Sequence, residues 1–259
     1  MERILLIPAF GLYLLAAGLY LAGPRARALR SAGIAAFAAA TLLNLSASLA
    51  RGVSSGHLPF SNMFETMMTL GACMFPFFLL SEWGFRSRTG WIEMVLAAVI
   101  VFPSCFIFSD EVRALPPALR SPLFGPHVVT YLLAYAAMAK AMILSLLSLA
   151  KRKGAGWEPI EAVAHRMTGV GFPLLTAGLL LGAVWAKQAW GDYWAWDPKE
   201  VWSLNTWIAY LIYFHLRAAT GGKSRWCDVL NIAAFACVVI TLLVVNLSRI
   251  FAGMHSYAS

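Results

Sequence analysis

Two of the five histidines in this sequence bracket a stretch that is rich in tryptophan. The histidines are His57, His127, His165, His215 and His255. A neutral imidazole is a common metal ligand, and two imidazoles on opposite sides of a porphyrin form the axial ligand pair of a haem iron. His127 precedes the tryptophan-rich stretch and His255 follows it. The predicted topology, given below, brings both to the outer face that carries the tryptophans, so His127 and His255 are the candidate ligands of a haem iron.

The tryptophan-rich segment, residues 185–207, reads WAKQAWGDYWAWDPKEVWSLNTW. It contains six of the chain's 10 tryptophans: Trp185, Trp190, Trp194, Trp196, Trp202 and Trp207. One or two tryptophans near a membrane surface are typical of an aromatic belt. Six of them in one short segment, interrupted by Gly191 and Asp192, instead predict a platform for a large planar ligand such as haem b. No C-x-x-C-H run occurs, so the chain does not itself carry covalently attached haem.

The composition places the chain among integral membrane proteins, since 60% of its residues are apolar and 12% are charged. A membrane-spanning helix needs roughly 20 mostly apolar residues. Eight such runs are predicted, at about residues 4–23, 31–50, 63–82, 92–109, 127–150, 168–188, 201–219 and 228–248. We therefore expect an all-α, polytopic bundle of about eight transmembrane helices. It is expected to form a single domain over residues 1–259, with the tryptophan-rich segment 185–207 at its external surface.

The basic residues predict how the bundle is oriented. The formal net charge is +8, with 20 Lys and Arg residues, and 12 of these 20 fall in one set of alternate connections. Because positive residues favour the cytoplasmic side, that set is assigned to the inside of a cell inner (cytoplasmic) membrane. Both termini and residues 185–207 are then extracytoplasmic. Membrane topology accounts for the basic charge, so no nucleic-acid partner is expected and the chain's surroundings are membrane lipid.

The predicted topology brings His127 and His255 to one surface. His127 begins span five on the outer side, and His255 follows the outer end of span eight. His215 lies 18 residues after Asp197, which is roughly 27 Å inward along a continuous helix. An ionisable group at that depth indicates a functional site. The alternative is a histidine that extends to the inner surface beside Arg217.

The remaining polar residues give less decisive indications. Arg249, near the outer end of span eight, is a candidate partner for a haem propionate, because Arg pairs well with carboxylates. Four other cations are alternatives: Lys187, Lys199, Arg51 and Arg3. His57 lies in an external loop and His165 is expected ahead of span six on the inner side, and the roles of both stay open.

The run from Asp197 to Glu200 also has a purely structural interpretation. Asp as the N-cap, Pro as the first helical residue and Glu three residues after the cap form a typical helix start. Capping is therefore the alternative to a ligand contact for Asp197 and Glu200. The chain's 4 cysteines form no C-x-x-C pair, which gives no indication of thiol-redox chemistry.

Several stretches together are similar to one known family. WGDYWAWDPKEVWSLNTW resembles the WWD signature of the haem-handling proteins of cytochrome c biogenesis. The D-P-K-E form, followed by YFHLR, resembles the CcsA (ResC) branch in particular, as do GHLPFSNMFE, HRMTGVGFPLLTAGLLLGAVWA and NLSRIFAGMHSYA. The resemblance runs from about residue 50 to the end of the chain. The relatives CcmC and CcmF share the tryptophan motif, but their sequences around it look different.

The resemblance implies a haem exporter that forms part of a holocytochrome c synthase with a CcsB (ResB) type membrane protein. The expected substrate is an apocytochrome c with a C-x-x-C-H segment, and a thiol-reducing protein is a further candidate partner. The resemblance implies external ligand roles for His127 and His255. It further implies that His215 binds haem at an internal site whose other ligand comes from CcsB. The residues matched to the haem-binding WWD segment are Trp190, Trp194, Trp196, Asp197 and Trp202.

Three other functions compete with this interpretation. A HemX-like membrane protein, which regulates haem synthesis, shares a similar tryptophan motif. A transporter of another amphipathic solute is expected to show two matching halves with interrupted helices, and the sequence shows no such repeat. A structural anchor would use its tryptophans only to hold the membrane surface. A visible absorption spectrum of the purified protein distinguishes a haem-binding function from the others.

Overall fold

A computed structural model of the chain describes residues 2–23, 27–112, 114–150, 158–222 and 224–247. Across these ranges the regular structure is helical, and no strand occurs in them. The chain divides into two compact units, residues 1–115 and 116–259. Two predicted site residues, Arg249 and His255, lie outside the described residues.

Ten α-helices occur in the described ranges. They are α1 (Glu2–Ala22), α2 (Arg27–Ser55), α3 (Met63–Ala72), α4 (Met74–Leu79), α5 (Trp91–Phe106), α6 (Phe124–Ala150), α7 (Glu158–Trp190), α8 (Pro198–Thr220), α9 (Arg225–Val239) and α10 (Val245–Leu247). Wide π-helical turns follow α4 and α9, at Leu80–Gly84 and Ile240–Val244, and a 3₁₀ turn, Pro117–Arg120, precedes α6. In the second π turn the amide of Val245 donates to the carbonyl of Ile240, five residues back.

Among the described residues, six helical segments are long and apolar enough to cross a membrane. They are Glu2–Ala22, Arg27–Ser55, Met63–Gly84, Phe124–Ala150, Ile160–Trp190 and Arg225–Leu247. The apolar helix α5 is shorter, and α8 does not belong to the six. The chain is therefore an all-α, multi-pass membrane protein, as predicted. Each of the eight predicted apolar runs overlaps a helix, while a count of eight spans and a single domain over residues 1–259 stay predictions.

Helix α7 begins earlier than the sequence pattern suggested. The apolar run was expected to start near residue 168, but the helix starts at Glu158. Val163, Ala164 and Met167 are buried at helical spacing, so the packed face of the helix continues through the more polar stretch before the run. The expectation that His165 precedes span six is therefore wrong, and His165 lies within α7.

In the first unit, a buried ion pair joins the end of α2 to the start of α3. Arg51 Nε lies 2.8 Å from Glu65 Oε1, and each side chain is 1% exposed. Arg51 also donates to the carbonyls of Asp110 and Glu111, at 2.6 and 2.8 Å. The second oxygen of Glu65 accepts from the amide and the hydroxyl of Ser61, both at 2.8 Å. These bonds satisfy both charges, which is the condition for a buried ion pair to be tolerated.

In the second unit, polar contacts connect α6 to α9. Asn231 donates to Ser145 at 3.0 Å, and Ser148 donates to Asp228 at 2.8 Å. Helix α6 also packs along the length of α7, and α8 packs on α9. Helix α6 therefore packs against both α7 and α9, while α8 packs against α9 and α7.

An ion pair and hydrogen bonds connect α7 to α8. Arg217 lies 2.9 Å from Glu161 in an ion pair, and the His165 ring lies 3.2 Å from the Tyr213 hydroxyl. Further along, the indole N–H of Trp207 donates to Thr176 at 3.0 Å. These contacts hold α8 against α7 at two levels of the helix pair.

We predict that Glu65→Gln strongly destabilises the protein, because it leaves the buried Arg51 charge without its counter-ion. Removing one partner of such a pair costs about 3–5 kcal/mol. Thermal unfolding in detergent, followed by circular dichroism, measures the change.

The matched control is Asp110→Asn, because that carboxylate lies 3.7 Å from Arg3 and the two side chains are 43% and 35% exposed. An exposed pair contributes at most about 1 kcal/mol. Equal, small shifts for Glu65→Gln and Asp110→Asn would contradict the importance of the buried pair.

Candidate functional site

The His127 ring is held in one orientation by a backbone carbonyl. His127 lies in the first turn of α6, and its Nδ1 is 2.9 Å from the carbonyl oxygen of Gly178 on α7. Because a carbonyl only accepts, Nδ1 carries the proton of the neutral ring and Nε2 has the lone pair. Metal-ligating histidines commonly donate their other ring N–H in this way. His127 therefore has the tautomer that a ligand through Nε2 requires.

A buried tryptophan supports the face of this ring. Trp185 is 2% exposed, and its ring lies 5.6 Å from that of His127 with an angle of 20° between the planes. The indole N–H of Trp185 donates to the carbonyl of Ala118 at 3.0 Å, and Phe124 packs on the same ring at 5.5 Å. The contacts with Ala118 and Phe124 thus fix Trp185 independently of His127, and Trp185 in turn limits how far the imidazole can tilt.

Two glycines on α7 make room for the aromatic side chains of α6. A Cβ at Gly182 would lie 2.6 Å from Cε1 of His127, and one at Gly178 would lie 2.9 Å from the ring of Tyr131. Residues four apart share a helix face, so the GLLLG stretch presents a smooth surface to α6. The roles of Gly178 and Gly182 and the support by Trp185 were not predicted from the sequence. The four-residue spacing of small residues was the available signal.

The chain leaves α7 through a sharply bent segment. Trp190 is the last residue of α7 and packs against Trp185 at 4.8 Å, edge to face. Gly191 follows with φ of +92°, a conformation that favours glycine. Lys187 braces this bend, since its Nζ donates to the Gly191 carbonyl at 2.5 Å and lies 5.5 Å from the centre of the Tyr193 ring.

The next helix begins with the predicted capping box, which the structure confirms. Asp197 accepts from the amide of Lys199 at 2.9 Å. Glu200 Oε2 accepts from the amide of Asp197 at 3.1 Å and from that of Ala195 at 2.8 Å.

Lys199 precedes the predicted apolar run of this helix. Burial lowers its pKa to about 8, against the opposing influence of Asp197, so at neutral pH the ammonium remains mostly protonated.

Trp196 adopts a backbone conformation that is rare for a large side chain. Its φ is +59°, and its side chain is 70% exposed. The left-handed region costs an L-residue roughly 1–2 kcal/mol, so surrounding contacts must maintain it. The Trp194 ring lies 6.0 Å from that of Trp196 at an angle of 85°. The Trp194 indole N–H is buried and finds no acceptor among the described residues.

The other two tryptophans of the segment lie on α8. Trp207 stacks on Phe172 at 5.7 Å and donates to Thr176, so it joins α8 to α7. Trp202 is half-buried on the first part of α8.

His215 lies on the same continuous helix as the capping box, as predicted. Its ring is exposed, and Nδ1 is 2.8 Å from the carbonyl of Leu211, which again assigns the lone pair to Nε2. Ile208 and Ile212 are exposed on the same side of α8, at spacings of seven and three residues from His215. This side of α8 is therefore apolar and exposed, with one outward imidazole.

The candidate site residues are thus only partly brought together in the described structure. His127, Trp185 and Trp190 form one cluster, and Trp194, Trp196, Asp197 and Glu200 form another in the same unit. The positions of His255 and Arg249 stay predictions. Among the alternative cations, Arg51 is buried against Glu65, Arg3 lies near Asp110 and Lys187 braces the bend.

Known proteins of cytochrome c assembly resemble this chain. A family model described as cytochrome C assembly protein matches residues 36–252. A cytochrome c biogenesis protein CcsA from Chlamydomonas reinhardtii is 36% identical over 228 residues, which cover 81% of this chain and 63% of the relative. The CcsA of Mesostigma viride is 33% identical, with 80% and 79% covered. That of Synechococcus elongatus is 30% identical, with 90% and 89% covered.

We predict that Gly182→Ala destabilises the protein, because the added methyl group displaces the His127 ring from its place between Trp185 and the Gly178 carbonyl. Overpacking of this kind costs about 1–3 kcal/mol. Gly169→Ala on the same helix is the matched control, since a Cβ there meets nothing within 4 Å. Alanine also favours the helix by roughly 0.5–1 kcal/mol. Thermal midpoints in detergent should move in opposite directions, and a shared upward shift would contradict the packing.

Proposed function

Because the chain belongs to the CcsA family of cytochrome c biogenesis proteins, we propose that it binds haem b and presents it for attachment to an apocytochrome c. The observation that chiefly supports this proposal is the His127 ring. Its Nδ1 donates to the Gly178 carbonyl, so the neutral ring has its lone pair on Nε2, the atom through which such a histidine binds a metal. Tryptophans on the adjoining segment supply apolar, planar surface of the kind that a porphyrin needs.

The residues present fit such a ligand. In the proposed external site His127 and His255 hold the iron, and the tryptophan-rich segment contacts the macrocycle through Trp190, Trp194, Trp196 and Trp202. Asp197 contributes by capping α8, and Arg249 pairs with a propionate. The buried Trp194 N–H, for which the described residues supply no acceptor, is suited to donate to a polar ligand edge. The single haem-handling domain extends over residues 1–259.

The proposed reaction is the addition of thiols to vinyl groups, and the chain promotes it by positioning the reactants. Each thiol of a C-x-x-C-H segment adds across one haem vinyl group: the S–H bond breaks, a C–S bond forms and the proton goes to the neighbouring carbon. The reaction involves no net oxidation and no leaving group. Holding both reactants in register converts a bimolecular encounter into an effectively unimolecular step. The histidine of the C-x-x-C-H segment would then take the place of one of the two histidines that hold the iron.

A second haem position is proposed at His215, with the other ligand supplied by a CcsB-type membrane protein. The exposed imidazole on an apolar face of α8 supports it. Haem is proposed to pass from there to the external site, which makes the chain an exporter and a subunit of a holocytochrome c synthase. The proposed location is the cell inner membrane, with both termini and the tryptophan-rich segment extracytoplasmic. A thiol-reducing protein keeps the apocytochrome reactive.

We predict that His127→Ala lowers the haem content of the purified protein by at least about tenfold, since even partners of metal ligands contribute 10–100-fold to affinity. His255→Ala should act similarly. Added imidazole should partly restore haem attachment by filling the vacated axial position. The measurements are the Soret absorbance per protein and covalent haem in a co-expressed cytochrome.

His57→Ala serves as the control. Its Nδ1 is bonded to the adjacent Leu58 carbonyl in the first unit, and wild-type haem content is expected. Normal spectra and normal attachment for both His127→Ala and His255→Ala would overturn the ligand assignment.

His215→Ala should separate the internal position from the external one. We expect haem content to fall only when the CcsB-type partner is co-expressed, because the proposed internal site needs a ligand from each chain. External loading by added haemin should be unchanged. The same loss of haem with and without the partner would exclude a shared site.

A further inference from the structure

We propose that Glu200 is a positioning residue that holds Trp196 in its left-handed conformation and thereby presents the Trp196 indole to the haem ring. This inference rests on the proposed haem-binding function. It concerns how the tryptophan-rich segment is prepared for its ligand before the ligand arrives.

The geometry of Glu200 exceeds what a helix cap needs. In a capping box the Glu side chain accepts one bond, from the N-cap amide, and the Asp197 amide supplies that bond at 3.1 Å. The same oxygen accepts a second and shorter bond, 2.8 Å, from the amide of Ala195. The two donors flank Trp196 on either side. The carboxylate therefore closes a hydrogen-bonded ring with the backbone on both sides of Trp196, and the start of α8 does not require this ring.

This ring explains how a tryptophan keeps a φ of +59°. A strained backbone persists only where its surroundings over-determine it, and one anionic oxygen that bonds both flanking amides does so. Glu200 is buried in the first turn of α8, so its own position is fixed by a regular helix. The constraint thus passes from α8 through Glu200 to the backbone on both sides of Trp196.

A second brace fixes the other end of the segment. Lys187 holds the Gly191 carbonyl and packs over Tyr193, so the chain is tied before and after Trp194. Trp194 then meets Trp196 edge to face. The Trp196 side chain remains 70% exposed, whereas Trp185 is 2% exposed. An outward indole on a tied backbone is preorganised for a planar ligand, since little ordering remains to be done on binding.

The test is a haemin titration of the full-length chain in detergent, comparing Glu200→Ala, Glu200→Gln, Trp196→Ala and the double variant Glu200→Ala/Trp196→Ala. Glu200→Ala should weaken haemin binding about tenfold, a typical size for a coupled pair of contacting residues. Glu200→Gln should weaken it less, because the amide oxygen still accepts both bonds without the negative charge. In the Trp196→Ala background, Glu200→Ala should change affinity by less than about twofold.

Additive effects of Glu200→Ala and Trp196→Ala would overturn the inference, because Glu200 would then act through general stability. The matched control is Glu161→Gln. It removes a carboxylate of α7 that is paired with Arg217 on α8, the helix that also carries Glu200, and this variant should bind haemin like the wild type. If the wild type and His127→Ala bind haemin equally, the proposed function fails. If binding depends on His127 but Glu200→Ala binds like the wild type, only the positioning role fails.

Discussion

The hydrogen bond from His127 to the Gly178 carbonyl is the contact on which the candidate site depends. It orients the imidazole, assigns its proton to Nδ1 and joins α6 to α7 at one point. The bond exists because α7 presents glycines where α6 presents rings, so that the imidazole reaches a helix backbone. Trp185 then closes one face of the ring. Packing of small against large residues thus defines the chemistry available at Nε2.

Capping and ligand binding first appear as competing explanations of the run from Asp197 to Glu200. In the structure the cap and the position of the neighbouring tryptophan are connected through one carboxylate. The cap starts α8, and the same carboxylate that completes it also bonds the amide on the far side of Trp196. A helix start is a stiff, locally encoded element, which makes it a suitable foundation for side chains that must be held outside any regular structure.

Much of the fold was predictable because its determinants are local. Apolar runs gave the helices, and Asp197, Pro198 and Glu200 gave the start of α8 in the correct place. What sequence reasoning missed depends on pairs distant in the chain. The ion pair of Arg51 with Glu65 and the stacking of Trp185 on His127 are of this kind. The early start of α7 was missed because burial extends the helix beyond its apolar run.

The π turn at Ile240–Val244 determines how the faces of α9 and α10 are related. An α-helix rotates by about 100° per residue, and the bond from Val245 back to Ile240 accommodates one residue more than an α-helical turn does. The faces of α9 and α10 are therefore out of phase. The one additional residue in the turn thus rotates the direction in which the side chains of α10 point relative to those of α9.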